Sequence, residues 1–396
     1  MKTVLGVTGG VAAYKSVYLL RRLQESGADV RVTMTESAKK FVGELTFSAL
    51  SGHAVFSDLW AATGERSAHV QLANWADVVV VAPCSANTLA KLASGLCDNA
   101  LTATVFSAHC PVVLAPAMDL EMYRHPTTHR NIETLRGFGY TVVEPETGYL
   151  ASGWVGQGRL PEPETLCEAV FAAVTPKSLA GLSVVVTAGP TLEALDPVRF
   201  LSNHSTGKMG YALATEAARR GARTTLVSGP VHLPTPYGVE KISVTTAQEM
   251  FAATLNSAEN ADVVVKCAAV ADFRPASFHS TKIKKGGATP TVALVPNPDI
   301  LLELGRNKKP STTLVGFALE TDREIEHALA KLRNKNADLM VLNSLRDDGA
   351  GFGGDSNAVT VLDRNGGQKR FGKAPKALIA IQIWDSIIEY RTGTWA

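Results

Sequence analysis

Residues 183–220, SVVVTAGPTLEALDPVRFLSNHSTGKMGYALATEAARR, constrain the fold more than any other stretch of the chain. They read as a buried strand, a long polar loop and a helix. Residues 183–188 form an apolar run ending on a small residue and Gly189-Pro190, the pattern of a parallel strand reaching its carboxyl end. Met209, Leu213 and Ala217 recur at helical spacing, and Gly221 closes the helix. Between them lies a loop rich in side chains that can donate or accept hydrogen bonds: Thr187, Thr191, Arg199, Ser202, Asn203, His204, Ser205, Thr206 and Lys208. Open α/β sheets bind ligands outside the carboxyl ends of their strands, and the helix N-terminus that follows favours an anion. The expectation is a phosphate-bearing ligand here. The competing reading is a well-capped surface loop, although loops of this length inside domains are usually functional or disordered.

A chain of 396 residues exceeds one typical domain, so two are expected. Residues 175–178 read as the linker. A net charge of +2 gives no electrostatic case for nucleic acid. Cys84, Cys97, Cys110, Cys167 and Cys267 lack CxxC spacing, as expected of reduced thiols in a cytoplasm. The start of the chain leads straight into a strand, without a secretory signal, and no apolar run approaches the roughly 20 residues a membrane span needs.

In the first half, residues 3–7 read as a strand before Thr8-Gly9-Gly10, followed by a helix and a strand that ends at Thr35-Glu36-Ser37. Glycine at the first turn suits phosphate approach and suits a plain tight turn equally, since GxGxxG is absent. The apolar run 76–82 breaks at Pro83-Cys84-Ser85-Ala86-Asn87, where small polar residues can face a ligand. The strand 111–115 runs into PAMDLEMY, which holds Asp119. The glycine-rich stretch 148–159 reads as a mobile lid. His69 taken alone reads as structural. His125 and His129 lack further ligands for zinc.

In the second half, the strand 262–267 ends in AAVADF, placing Asp272 at a strand end to meet a base, ribose or metal. Lys282, Lys284 and Lys285 form either a solvated face or an anchor for a triphosphate. Asn297-Pro298-Asp299-Ile300 opens a helix, and the strand 312–317 ends at Phe317. Lys331 and Lys335 lie one helical turn apart, where both can reach a phosphate chain.

Together these segments closely resemble the bifunctional coenzyme A biosynthesis proteins of bacteria, phosphopantothenoylcysteine decarboxylase fused to phosphopantothenate–cysteine ligase, over essentially the whole chain. The ligase motifs are TAGPT, DPVRFLSNHSTGKMG, AAVADF, KIKK, NPDI and GFALET. Those of the decarboxylase are HVQLANWAD, APCSAN and PAMDLEMY. The resemblance implies an α/β chain of two doubly wound domains with mostly parallel sheets, flavoprotein-like over residues 1–175 and Rossmann-like over residues 181–396. It implies FMN near Thr8, Gly9, Gly10, Thr35, Ser37, Pro83, Ser85 and Asn87, with His69 catalytic. It implies a CTP site at Ala268, Asp272, Lys282, Pro298, Asp299, Ile300, Phe317, Lys331 and Lys335, with Mg2+ on the triphosphate and its protein ligands unspecified. Asn203 would hold the acyl-cytidylate formed from CTP and 4′-phosphopantothenate, and Lys282 would act on it before cysteine displaces CMP. Oxidation of the substrate's thiol carbon would let carbon dioxide leave, and an acid would return a proton. A cytoplasmic homo-oligomer is implied, with trimeric contacts in the flavin domain and dimeric contacts in the ligase domain.

Two residues depart from the family's common pattern. Asp119 stands where an Asn contacts the substrate carboxylate, and Ser152 stands where a Cys donates the proton. An ionised Asp119 repels that carboxylate unless one of the two is protonated or a cation intervenes. A hydroxyl is a far weaker acid than a thiol. The alternative implied is a ligase whose N-terminal domain binds flavin without decarboxylating.

Overall fold

The computed structural model describes residues 1–60, 67–284, 291–320, 323–344 and 354–395. Backbone contacts divide the chain into two compact units, Met1–Thr175 and Pro176–Ala396.

In the first unit, five parallel strands form one sheet. Across it they run Asp29–Met34, Lys2–Val7, Val78–Cys84, Val112–Pro116 and Thr141–Val142. In chain order this is 2-1-3-4-5, with the switch point between the first and third strands. Val78–Cys84 is buried at every position, as an inner parallel strand covered on both faces must be. Val79, Val81, Leu89, Leu101, Leu114 and Leu135 pack one face of the sheet. The glycine-rich stretch is a two-stranded antiparallel hairpin, Glu146–Tyr149 with Val155–Arg159.

The second unit is built on an eight-stranded sheet. Six strands are parallel, in the order Val239–Ser243, Arg223–Ser228, Ser183–Ala188, Val263–Lys266, Thr313–Glu320 and Leu339–Ser344. Ser356–Asp363 and Gln368–Pro375 extend it antiparallel. The parallel part runs 3-2-1-4-5-6, and its switch point lies between Ser183–Ala188 and Val263–Lys266. Helices Lys208–Arg219 and Lys376–Thr392 cover one face, where Trp384 is fully buried and its Nε1 donates to the Leu213 carbonyl at 2.9 Å. Leu301, Leu304, Leu314, Leu332 and Met340 fill the other.

The expected strand–loop–helix at residues 183–220 forms, with one correction. The loop is not irregular throughout: Leu192–Ala194 and Phe200–Ser202 pair antiparallel inside it. Three-residue strands are too short to show a hydrophobic period, so pattern alone does not reveal them.

Candidate functional site

The switch point of the second sheet opens into a cleft of about 360 Å³. It is lined by Gly189, Asn203, Ser205, Thr206, Lys208, Lys266, Asp272, Phe317, Lys331 and Lys376, among others. The threonines of TAGPT, which the sequence offers as ligand-binding groups, are instead buried and shape the cleft floor. Thr187 Oγ1 accepts the N–H groups of Cys267 and Ala268, each at 3.1 Å, and Thr191 Oγ1 accepts that of Ala271 at 3.0 Å. They hold the AAVAD turn to the neighbouring strand end. Gly210 is required by close approach, because a Cβ there would lie 2.5 Å from that of Ala188.

Asn203 Nδ2 donates to the Ala269 carbonyl at 2.9 Å, and Lys266 Nζ donates to the Ala268 carbonyl at 2.9 Å. Asp299 caps the helix Ile300–Asn307 by accepting the Leu302 N–H at 2.9 Å. Its other oxygen takes Lys335 Nζ at 2.6 Å. Lys331 Nζ lies 3.4 Å from the Phe317 carbonyl and lines the cleft. The two lysines therefore differ: one faces the cleft, and the other is occupied by a carboxylate. Ala268 lies in the cleft wall, and Ile300 is buried behind it. Asn297 Nδ2 donates to the Ala271 carbonyl at 2.9 Å, which brings the NPDI segment with Pro298 against the AAVAD turn. Lys285 of the lysine loop and Thr321 lie outside the described residues.

Asp196 escapes notice in the sequence. It is 2% exposed, and its carboxylate accepts the N–H groups of Val198 and Arg199, each at 2.8 Å, and that of Ile283 at 3.1 Å. The Arg199 guanidinium, with these backbone donors, holds its carboxyl well below the usual range. Lys282 adjoins Ile283, so the buried Asp196 carboxylate sets where that lysine emerges. The signal that could have found it is an acid three residues from a basic partner inside a conspicuous loop. Lys266 likewise belongs to none of the motifs, although a lysine ending the apolar run VVVK is itself a signal.

In the first unit, Thr8 links the two strand ends at the switch point. Its Oγ1 donates to the Pro83 carbonyl at 2.8 Å and accepts the Ser85 N–H at 2.9 Å. Thr8 and Pro83 are buried, so their side chains serve the fold, whereas Gly9, Gly10, Thr35, Ser37, Ser85 and Asn87 stand at or near the surface. A Cβ on Gly9 would come 2.5 Å from that of Ser37, which brings the first two loops together, while one on Gly10 would meet open space. Ser85 caps the helix Ala86–Ser94. His69 sits in the first turn of Ala68–Trp75.

Asp119 caps the short helix Leu120–Arg124, its Oδ1 accepting the Glu121 N–H at 3.3 Å. The Met118 N–H donates to the Gly158 carbonyl at 3.0 Å, so the hairpin is fastened beside Asp119. Ser152 is exposed in the turn of that hairpin, where the Leu150 N–H reaches the Trp154 carbonyl at 2.8 Å. His125 caps the helix Pro126–Gly137, and His129 packs edge-on against Tyr123. Among the described residues no three His, Cys, Asp or Glu side chains gather to hold a metal. None of the described helices is long and apolar enough to cross a membrane.

The flavoprotein family model matches residues 1–175, and the model described as the DNA/pantothenate metabolism flavoprotein C-terminal domain matches residues 179–390. The coenzyme A biosynthesis bifunctional protein CoaBC of Bacillus subtilis is 47% identical, over 97% of this chain and 96% of its own. Its counterpart in Escherichia coli K12 is 42% identical, over 98% and 96%. A crystal structure of the C-terminal domain of a CoaBC protein is 38% identical, covering 55% of this chain and 99% of its own at a TM-score of 0.48. With both family models in order and near-complete coverage of the relatives, the chain belongs to the bifunctional coenzyme A biosynthesis proteins, which join a flavoprotein decarboxylase to a ligase.

Proposed function

We propose that the chain converts 4′-phosphopantothenate to 4′-phosphopantetheine in two steps, in the cytoplasm and as a homo-oligomer. Residues 181–396 ligate cysteine with CTP through an acyl-cytidylate, and residues 1–175 decarboxylate the resulting 4′-phosphopantothenoylcysteine with FMN. The observation that carries the reading is the convergence of Asn203, Asp272, Phe317 and Lys331 on one cleft at a topological switch point.

In the ligase, Lys331 and the lysine loop neutralise the triphosphate, and Phe317 and Asp272 receive the cytidine. Pro298, Asp299 and Ile300 form the wall behind them. The Asn203 amide holds the acyl group, and Lys282 stabilises the charge that develops as pyrophosphate leaves. Among the described residues no cluster of acids gathers to hold a metal, and Mg2+ would arrive on the triphosphate.

In the decarboxylase, Gly9, Gly10, Thr35, Ser37, Ser85 and Asn87 stand at the strand ends where FMN would be held, with open space over Gly10 and a helix start at Ser85. When bound, FMN supplies the two-electron chemistry that makes the carboxylate a leaving group. His69 handles a proton at the reacting centre. Asp119 takes the substrate carboxylate with one of the two groups protonated, and Ser152 stands at the proton-donor position. Exposed Tyr14, Tyr18, Phe41 and Leu45 on the first unit, and Val198, Phe200, Phe273 and Phe278 on the second, supply apolar surface for self-association.

Mass spectrometry on one reaction tests the whole reading. The protein is given 4′-phosphopantothenate, CTP, Mg2+ and cysteine. Appearance of 4′-phosphopantetheine is the expected result. A reaction halted at 4′-phosphopantothenoylcysteine establishes the second reading, favoured by Asp119 and Ser152, of a ligase with an idle flavin domain. Absence of both products overturns the ligase assignment.

A further inference from the structure

The cleft contains an amine, Lys266, to which none of the sequence motifs attaches a role. Lys266 ends the strand Val263–Lys266, with Thr187 beside it on one neighbouring strand and Gly316 on the other. It therefore stands at the switch point itself. Its partly buried side chain lines the cleft. Lys266 Nζ and Asn203 Nδ2 bond to the consecutive carbonyls of Ala268 and Ala269, each at 2.9 Å. Both groups are thus tied to one turn, a single residue step of about 3.8 Å apart along the chain.

The surroundings set the protonation of this amine. The charged groups near it are Lys331 on the helix Glu324–Asn334, Asp272 after its own strand and Asp299 at a helix start, with the Cys267 thiol alongside. Burial, reinforced by Lys331, lowers the amine to about 8 against the opposing pull of the two carboxylates. Burial also pushes the Cys267 thiol up to about 12, so it stays neutral. Of the other lysines lining the cleft, Lys208 pairs with Asp355 at 2.6 Å, Lys376 donates to the Gly354 carbonyl and Lys331 lies against the Phe317 carbonyl, while Lys335, outside the lining, is held by Asp299 at 2.6 Å.

We propose that Lys266 is the base that takes the proton from the attacking cysteine amine in the second half of the ligation. This inference rests on the ligase reading above. The nitrogen lone pair of cysteine forms the bond to the acyl carbon. The carbon–oxygen bond to the cytidylate breaks, and its electron pair leaves on the phosphate of CMP. The proton displaced from nitrogen passes to the neutral Lys266 amine, which returns it to solvent. An amine is suited to this because burial leaves a usable neutral fraction near working pH, which a guanidinium never has.

The test separates the two half-reactions in Lys266→Arg and Lys266→Gln. Pyrophosphate release from CTP and 4′-phosphopantothenate is followed by rapid quench, and product formation is followed after adding cysteine. The expected result is one equivalent of pyrophosphate per site in both variants, with product formation down by about 100-fold or more. The rise in wild-type product formation through about pH 8 should also disappear. Near-normal product formation by Lys266→Arg overturns the proposal, since charge alone would then suffice. Pyrophosphate release that falls in step with product in both variants also overturns it, placing Lys266 in nucleotide binding. Wild-type protein that releases no pyrophosphate overturns the ligase reading, and this proposal with it.

Discussion

Arg199 Nη2 lies 2.5 Å from Asp196 Oδ2 and 2.8 Å from the Ile283 carbonyl, so one guanidinium fastens the hairpin of the long loop to the segment carrying Lys282. Asp196→Asn keeps the shape and removes the charge. It should lower ligase kcat several-fold while leaving the first unit's flavin absorbance unchanged. The stability effect has a definite sign. A depressed folded pKa stabilises at pH above the unfolded value near 4, and the contribution fades as pH falls through the folded value. The Tm gap between wild type and Asp196→Asn should hold constant from pH 5 to 8 and narrow only in strong acid. A gap that already changes between pH 6 and 7 would contradict the assignment.

Lys331 and Lys335 share a helix face but not a role. Lys331 faces the cleft, whereas Lys335 is held by Asp299. Lys331→Gln should raise the KM for CTP by 10-fold or more, about 1.4 kcal/mol of lost phosphate attraction. Lys335→Gln should act only by loosening Asp299, with a smaller rise. Steady-state kinetics with CTP varied at saturating cysteine distinguishes them. Equal effects would mean that the Asp299 pair opens when nucleotide binds.

The parts of the fold legible in the sequence are those with a period or a punctuation mark. Val78–Cys84 and Ser183–Ala188 announce themselves by their valine runs ending near small residues, because both faces are covered. The Ser85 cap and the helix from Lys208 follow from local rules. Strand order does not, since nothing local to Val263–Lys266 specifies Thr187 as its neighbour. The partnership of Asp196 with Ile283 spans 87 residues and leaves no local trace. Thr187 and Thr191 show the opposite error: hydroxyls that look available to a ligand are consumed by the backbone of a neighbouring turn. Asn203, Asp272, Phe317 and Lys331 at the cleft are nameable from motifs, whereas Lys266 and Lys376 are not. Nor is the division of labour among the cleft's lysines, because that depends on which carboxylate each one meets in three dimensions.

Asp119 and Ser152 are placed so that changing them alters chemistry more than folding. Asn caps a helix as well as Asp does, so Asp119→Asn should leave Tm within about a degree. Ser152 is exposed in a turn, and Ser152→Cys adds no buried volume. Both variants should keep the flavin absorbance of the parent. The double variant should decarboxylate 4′-phosphopantothenoylcysteine faster than wild type if the wild-type pair is limiting. Loss of flavin from either single variant would place that residue under the cofactor instead of beside it.

The hairpin that carries Ser152 depends on a backbone approach only glycine permits. A Cβ on Gly158 would lie 2.2 Å from the Met118 carbonyl oxygen, and the Gly158 carbonyl accepts the Met118 N–H at 3.0 Å. The contact cannot be relieved by a side-chain rotation, because the Cβ is fixed to its own backbone and the oxygen belongs to main chain. Gly158→Ala must therefore separate the hairpin from the loop that presents Asp119, breaking this hydrogen bond and displacing the Ser152 turn. The ligase half has its own sheet and cores, and none of its cleft residues lies in the first unit. The expected outcome is a split phenotype: carbon dioxide release falls by at least 10-fold, while pyrophosphate release from CTP stays within about twofold of wild type. Limited proteolysis should find new cleavage between residues 148 and 158 in the variant. Unchanged decarboxylation would show that the hairpin's attachment beside Asp119 has no part in the reaction.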